Sequence, residues 1–108
     1  MGKHYLLNLY GCPYMILNDE NGLINLLSYA AIVSGATVIT TVHKKFEPQG
    51  VTVLILLSES HISIHTWPER GEAAVDIFTC GNADPQVGCD LIVKQLHCTS
   101  HTLSYIER

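Results

Sequence analysis

Val53-Leu54-Ile55-Leu56-Leu57 is the most apolar run of the chain, and the segment directly after it restricts the fold most. An apolar strand ordinarily ends in Gly, Asn, Asp or Pro. This one ends in Ser58-Glu59-Ser60-His61 and then resumes as Ile62-Ser63-Ile64-His65-Thr66-Trp67, with the alternation of a second strand. Two strands joined by so short a link pair antiparallel, with the tight turn expected at Glu59-Ser60. Hydroxyls (Ser58, Ser60, Ser63) and imidazoles (His61, His65) therefore crowd one hairpin.

The rest of the chain supplies neighbours for that hairpin. Residues 4–10 mix Tyr and Leu with polar residues and stop at Gly11-Cys12-Pro13, which reads as a strand. Leu23, Leu26, Leu27, Ala30 and Ala31 fall at helical spacing, so 18–34 reads as a helix, with Asn18 or Asp19 as N-cap and Gly35 as its stop. Residues 37–45 are rich in β-branched residues and read as a strand. Strands over 51–57, 62–67 and 73–79 come next, the first of them apolar on both faces and so expected to be central and covered on both sides. Asp84-Pro85 opens a second helix over 85–96, and 99–107 closes the chain as a strand.

Runs of consecutive strands imply hairpins. The expected fold is therefore α+β: a two-layer sandwich with an antiparallel sheet, two helices on one face and a βαββ-type repeat. Val53, Ile55 and Leu57 alternate with Leu54 and Leu56, so the second sheet face is partly apolar and needs a partner. A homodimer through the sheet faces is the expected solution.

The 108 residues suffice for a single domain, 1–108, and no linker or low-complexity segment divides them. Hydrophobic residues make up 47%, enough for one core, and charged residues only 15%, which argues against disorder. A net charge of −4 argues against nucleic acid as a partner and mildly favours a cationic substrate. No apolar stretch approaches a membrane span. Met1-Gly2 runs straight into a strand without a cleavage site, and Leu6 stands where a myristoylation pattern wants Ser or Thr. A cytoplasmic protein is expected, in which Cys12, Cys80, Cys89 and Cys98 stay reduced.

Three chemistries compete for the hairpin. Four residues apart on a strand, His61 and His65 stand roughly 13 Å apart and cannot chelate one ion together. His97, Cys98 and His101 have zinc-like spacing but lack a fourth ligand, so no metal is expected. Ser60, His65 and Asp76 could form a hydrolase triad, yet the Gly-x-Ser-x-Gly elbow is missing. A polar turn that merely caps a hairpin is the plainest alternative.

Ser58-Glu59-Ser60-His61-Ile62-Ser63-Ile64-His65-Thr66-Trp67-Pro68-Glu69 and Ala73-Ala74-Val75-Asp76-Ile77-Phe78-Thr79-Cys80-Gly81 closely resemble the short prokaryotic S-adenosylmethionine decarboxylases. Weaker similarity runs from Tyr5 to the end of the second helix. The resemblance implies a pyruvoyl-dependent carboxy-lyase of polyamine (spermidine) biosynthesis, made as a proenzyme. Ser60 would attack the carbonyl of Glu59, and an N-to-O acyl shift followed by β-elimination would leave a covalent pyruvoyl group at position 60. The products would be a β chain, 1–59, and an α chain, 60–108.

In the same resemblance His65 is the processing base, and Thr52 stands where the family usually has serine. Thr keeps the hydroxyl but stiffens χ1, which bears on the speed of processing. The pyruvoyl group would form a Schiff base with the substrate amine and serve as the electron sink for decarboxylation. Cys80 would return the proton to the α-carbon, a task suited to a thiol. Phe46 would stack on the adenine, Glu69 would hold the ribose, and Trp67 would help line the pocket; a sulfonium cation also favours aromatic faces. Two αβ protomers would build each site across the dimer interface. Two rival readings share these motifs: a decarboxylase of the same family acting on ornithine or arginine, and an unprocessed regulatory homologue.

Overall fold

The computed structural model describes residues 1–108. Its elements run β1 (Lys3–Tyr10), α1 (Tyr14–Leu17), α2 (Glu20–Val33), β2 (Val38–Lys45), β3 (Val51–Leu57), β4 (Ser60–Trp67), a 3-10 turn (Pro68–Arg70), β5 (Glu72–Thr79), α3 (Pro85–Gln95) and β6 (Ser100–Glu107). The six strands form one sheet in the order β2-β3-β4-β5-β1-β6, and every neighbouring pair is antiparallel. Helices α2 and α3 pack on each other and on one sheet face, giving the α+β two-layer architecture expected. No helix is long and apolar enough to cross a membrane.

Local chemistry sets the element ends. Asp19, not Asn18, caps α2, its carboxylate accepting from the Gly22 N–H at 3.0 Å. Gly35 comes after the helix with φ +90°, a conformation costly for other residues. Asp84 caps α3 in the same way, with Pro85 at its first position. The short helix α1 has no counterpart among the expected elements. Four residues are too few to show a period, and only Pro13 before it hints at a start.

The core lies between the sheet and the helices. Leu7 and Leu9 of β1, Val53, Ile55 and Leu57 of β3, Ile62 and Ile64 of β4 and Val75 and Ile77 of β5 face Leu23, Leu27, Ala30 and Ile92. At ~25 cal/mol per Å² such burial is the main stabilising term. Helices α2 and α3 approach closely at Gly88, where a Cβ would fall 2.6 Å from Ser34 Oγ.

The other sheet face has no covering layer within the chain. Leu54 and Leu56 are 45% and 48% exposed and Val42 is 62% exposed. β3 is an interior strand, paired with β2 and β4, and within the chain only one of its faces is covered. An apolar run reports the polarity of both faces, but not whether the second cover comes from the same chain.

Candidate active site

The turn of the β3–β4 hairpin is Ser58-Glu59, and Ser60 already pairs with Leu57 as the first residue of β4. The expected turn is thus shifted back by one residue. A two-residue loop between Leu57 and Ser60 satisfies both strands' hydrogen bonding. It places the Glu59–Ser60 peptide at the rim of the sheet, held on one side by the ladder and free on the other.

The loop after β5 packs against that peptide. The backbone N–H of Cys80 donates to Ser60 Oγ at 3.2 Å, and the Cys80 thiol donates to the Glu59 carbonyl oxygen at 3.4 Å. Sulfur is a weak donor, yet it points at the oxygen that gains negative charge if Ser60 attacks the neighbouring carbon. Ser60, Glu59 and Cys80 line a cavity of about 400 Å³ with the Gly35–Thr37 segment that comes after α2. The geometry can therefore serve both a backbone rearrangement at residue 60 and a later proton transfer from the thiol. It also fits a carbonyl group at position 60.

His65 is not in this cluster. It lies five residues along β4 from Ser60, ~16 Å away at strand rise and on the opposite pleat. Its Nδ1 meets Thr52 Oγ1 at 2.9 Å, because Thr52 and His65 are direct cross-strand partners. Around them a second cavity of about 240 Å³ is lined by Phe46, Gln49, Thr52, His65, Trp67 and Glu69. One chain therefore carries two separate cavities, at opposite ends of the same hairpin.

The loop that carries Phe46 is firmly held. Phe46 N–H donates to the Gly50 carbonyl at 2.8 Å. Gly50 N–H donates to Asn18 Oδ1 at 2.9 Å, and Gly50 has φ +109°. Next to it, the Thr66 hydroxyl accepts from Val51 N–H at 3.0 Å and donates to the Leu17 carbonyl at 2.7 Å. Residues 17 and 18, at the break between α1 and α2, thus clamp the loop. Nothing in the local pattern of residues signals this role: Asn18 reads as a candidate helix cap, and its neighbour Asp19 fills that position instead.

Asp76 sits on the uncovered face between the two cavities. Its Oδ2 accepts from His4 Nε2 at 2.7 Å and from His61 Nε2 at 2.9 Å, and its Oδ1 accepts from the Ser63 hydroxyl. Register explains the convergence: Ser63 lies directly across from Asp76, while His4 and His61 flank Phe78 from either side. Burial pushes the Asp76 carboxyl upward, but the hydrogen bonds from Ser63, His61 and His4 outweigh it and hold the group below its usual range. The triad Ser60-His65-Asp76 does not form, because Asp76 engages His61 rather than His65. His4, His61 and Asp76 present ligand atoms within 4.8 Å of one another, yet both carboxylate oxygens are already occupied by these hydrogen bonds.

A family model described as S-adenosylmethionine decarboxylase matches residues 3–108. The S-adenosylmethionine decarboxylase proenzyme of Prochlorococcus marinus (strain MIT 9313) is 49% identical over all of this chain and 87% of its own length. That of Clostridium tetani is 41% identical over all of this chain and 86% of its own. The crystal structure of the adenosylmethionine decarboxylase from Aquifex aeolicus superposes with a TM-score of 0.91 at 37% identity, covering all of this chain and 90% of that one.

Proposed function

This chain belongs to the S-adenosylmethionine decarboxylase family, and from that premise we propose how its own residues perform the reaction. The protein is an S-adenosylmethionine decarboxylase, a lyase made as a proenzyme. The observation that carries the detailed reading is the contact of Cys80 with both Ser60 Oγ and the Glu59 carbonyl oxygen.

Ser60 Oγ attacks the Glu59 carbonyl carbon, and the peptide becomes an ester as the amide nitrogen leaves. The Cys80 thiol, and any donor beside it, stabilises the charge on the Glu59 oxygen. A base then removes the α-proton of residue 60, and elimination releases residues 1–59 with a new carboxylate. Hydrolysis with loss of ammonia leaves residues 60–108 beginning in a pyruvoyl group. Serine is a weak nucleophile and needs such neighbours.

His65 is the base of this scheme, oriented by Thr52. Within one chain it is too far from Ser60 to act. We assign it to the site of a second copy. A two-fold axis between two sheets, running across the strands, places the hairpin turn of one protomer over the Thr52–His65 end of the other, and does so twice. The exposed Val42, Leu54 and Leu56 would be covered in the same step.

When formed, the pyruvoyl carbonyl supplies an electron sink for the electrons left by departing carbon dioxide. The protein's part is to bind and to move protons. Phe46 presents a ring to the adenine, Glu69 accepts hydrogen bonds from the ribose hydroxyls, and Trp67 walls the pocket. Trp67 is itself backed by Arg70, whose guanidinium lies 5.4 Å from the ring centre. Cys80 returns a proton to the substrate carbon. Intact mass of the purified protein tests the first step. Two fragments parting between Glu59 and Ser60 are expected, and a persistent 11.9 kDa species would contradict it.

A further inference from the structure

The pocket around Thr52 and His65 holds one group with no task in the decarboxylation scheme. Gln49 is half-buried, although the residues before it, Phe46 to Pro48, are exposed. It lines the cavity beside Phe46 and Glu69 and is its sole carboxamide. Its side chain takes part in no hydrogen bond of the chain, while the backbone around it is held by the Gly50–Asn18 and Val51–Thr66 hydrogen bonds. A carboxamide that lines a cavity and is not engaged by the protein is free to pair with a planar partner bound there.

We propose that Gln49 reads the edge of the adenine base and so determines which nucleoside the enzyme accepts. This rests on the proposed stacking of the base against Phe46. Adenine offers the 6-amino donor next to a ring-nitrogen acceptor, and a carboxamide offers the complementary acceptor and donor in one plane. Gln49 stands three positions after Phe46, within a loop closed by the Phe46–Gly50 hydrogen bond. A ring held by Phe46 therefore has its edge within the loop's own span.

Rigidity makes the assignment more than a matter of composition. Gly50 is pinned by Asn18, and its φ of +109° excludes other residues without strain. Val51 and Thr66 fix the backbone beyond it. The amide of Gln49 thus hangs from a backbone ordered before substrate arrives, which limits the entropy lost on binding. Asn18 acts through Gly50 as a positioning residue.

The test uses the self-cleaved enzyme and two substrates, S-adenosylmethionine and its analogue in which the 6-amino group is replaced by hydrogen. The wild type should favour the adenosyl compound in kcat/KM by about 5- to 100-fold, the range of one good bidentate contact. Gln49→Ala should raise KM for S-adenosylmethionine, keep kcat within about a factor of two or three, and bring the preference close to one. Gln49→Glu, which keeps the acceptor for the 6-amino group but cannot donate to the ring nitrogen that both substrates carry, should raise KM for both and keep a preference for the adenosyl compound. Fragment masses establish that each variant folds and cleaves. If Gln49→Ala keeps the wild-type preference while Phe46→Ala raises KM, Gln49 is not the reader and the pocket stands. If neither substitution changes KM, the placement of the base in this pocket fails as well.

Discussion

Thr52 Oγ1 and His65 Nδ1 face each other at 2.9 Å across the β3–β4 ladder, a full strand length from Ser60. The hydrogen bond fixes the ring and leaves Nε2 directed away from Thr52. Thr52→Val keeps the shape and removes the hydroxyl. Self-cleavage should slow by about 10-fold, the worth of one orienting hydrogen bond. Thr52→Ser should match or exceed the wild type, since serine rotates more freely. His65→Ala should slow cleavage by at least about 100-fold. The rate at which the full-length band disappears measures all three.

Cys80 touches both Ser60 and the Glu59 carbonyl, but its two contacts differ in kind. The hydrogen bond to Ser60 comes from the backbone and survives any side-chain change. Cys80→Ala should therefore slow self-cleavage only several-fold, through loss of the thiol contact to Glu59. Decarboxylation by the cleaved product should fall by about 10²- to 10⁴-fold, the usual worth of a general acid. Equal losses in both steps would separate Cys80 from the role of proton donor.

Asp76 anchors three donors from β1 and β4 in one cluster. Its carboxyl lies below its unfolded value, so its contribution is present at neutral pH and is lost as acid protonates it. Thermal stability should thus decline below about pH 4, the unfolded carboxyl range. Asp76→Asn should weaken stability at neutral pH by about 1–3 kcal/mol, because at least one imidazole donor loses its acceptor. It should also flatten the acid limb of the stability curve. A parallel acid limb in the variant would place the titration elsewhere.

The four thiols should divide in two. Burial, and to a lesser degree Cys98, pushes Cys12 up to about 11. Burial, with Asp90 adding to it, pushes Cys89 up to about 12. Both stay protonated and covered at pH 8. Cys80 and Cys98 are partly exposed. Brief treatment with iodoacetamide should alkylate Cys98 and Cys80, whereas Cys12 and Cys89 should react only after unfolding. These raised values also mean that stability falls as pH climbs from the ordinary thiol range towards 11 to 12. Peptide mapping reads the labels.

Much of this architecture is legible in the chain because its elements obey local rules. Alternation in Val53–Leu57 and Ile62–Trp67 marks the hairpin, and Asp84-Pro85 marks the start of α3. The residues proposed for the site come from the motif around Ser60, not from spacing. The hidden part depends on register. Nothing in the order of residues shows that His4, 72 positions away, meets Asp76, or that Asn18 holds Gly50. Nor does it show that Ser60 and His65, five positions apart, stand far apart and on opposite pleats of β4, since that comes from strand geometry.

Mixing two inactive variants tests this division most directly. Ser60→Ala keeps an intact Thr52–His65 end, and His65→Ala keeps an intact Ser60–Cys80 end. Neither should cleave or decarboxylate when expressed alone. Expressed together in equal amounts, they should form mixed dimers in which one of the two sites is complete. Cleavage of the His65→Ala chain and about a quarter of the wild-type activity are then expected, as random pairing in a two-fold dimer requires. Co-expressed variants that stay uncut and inactive, although shown to associate, would contradict a site shared between two copies.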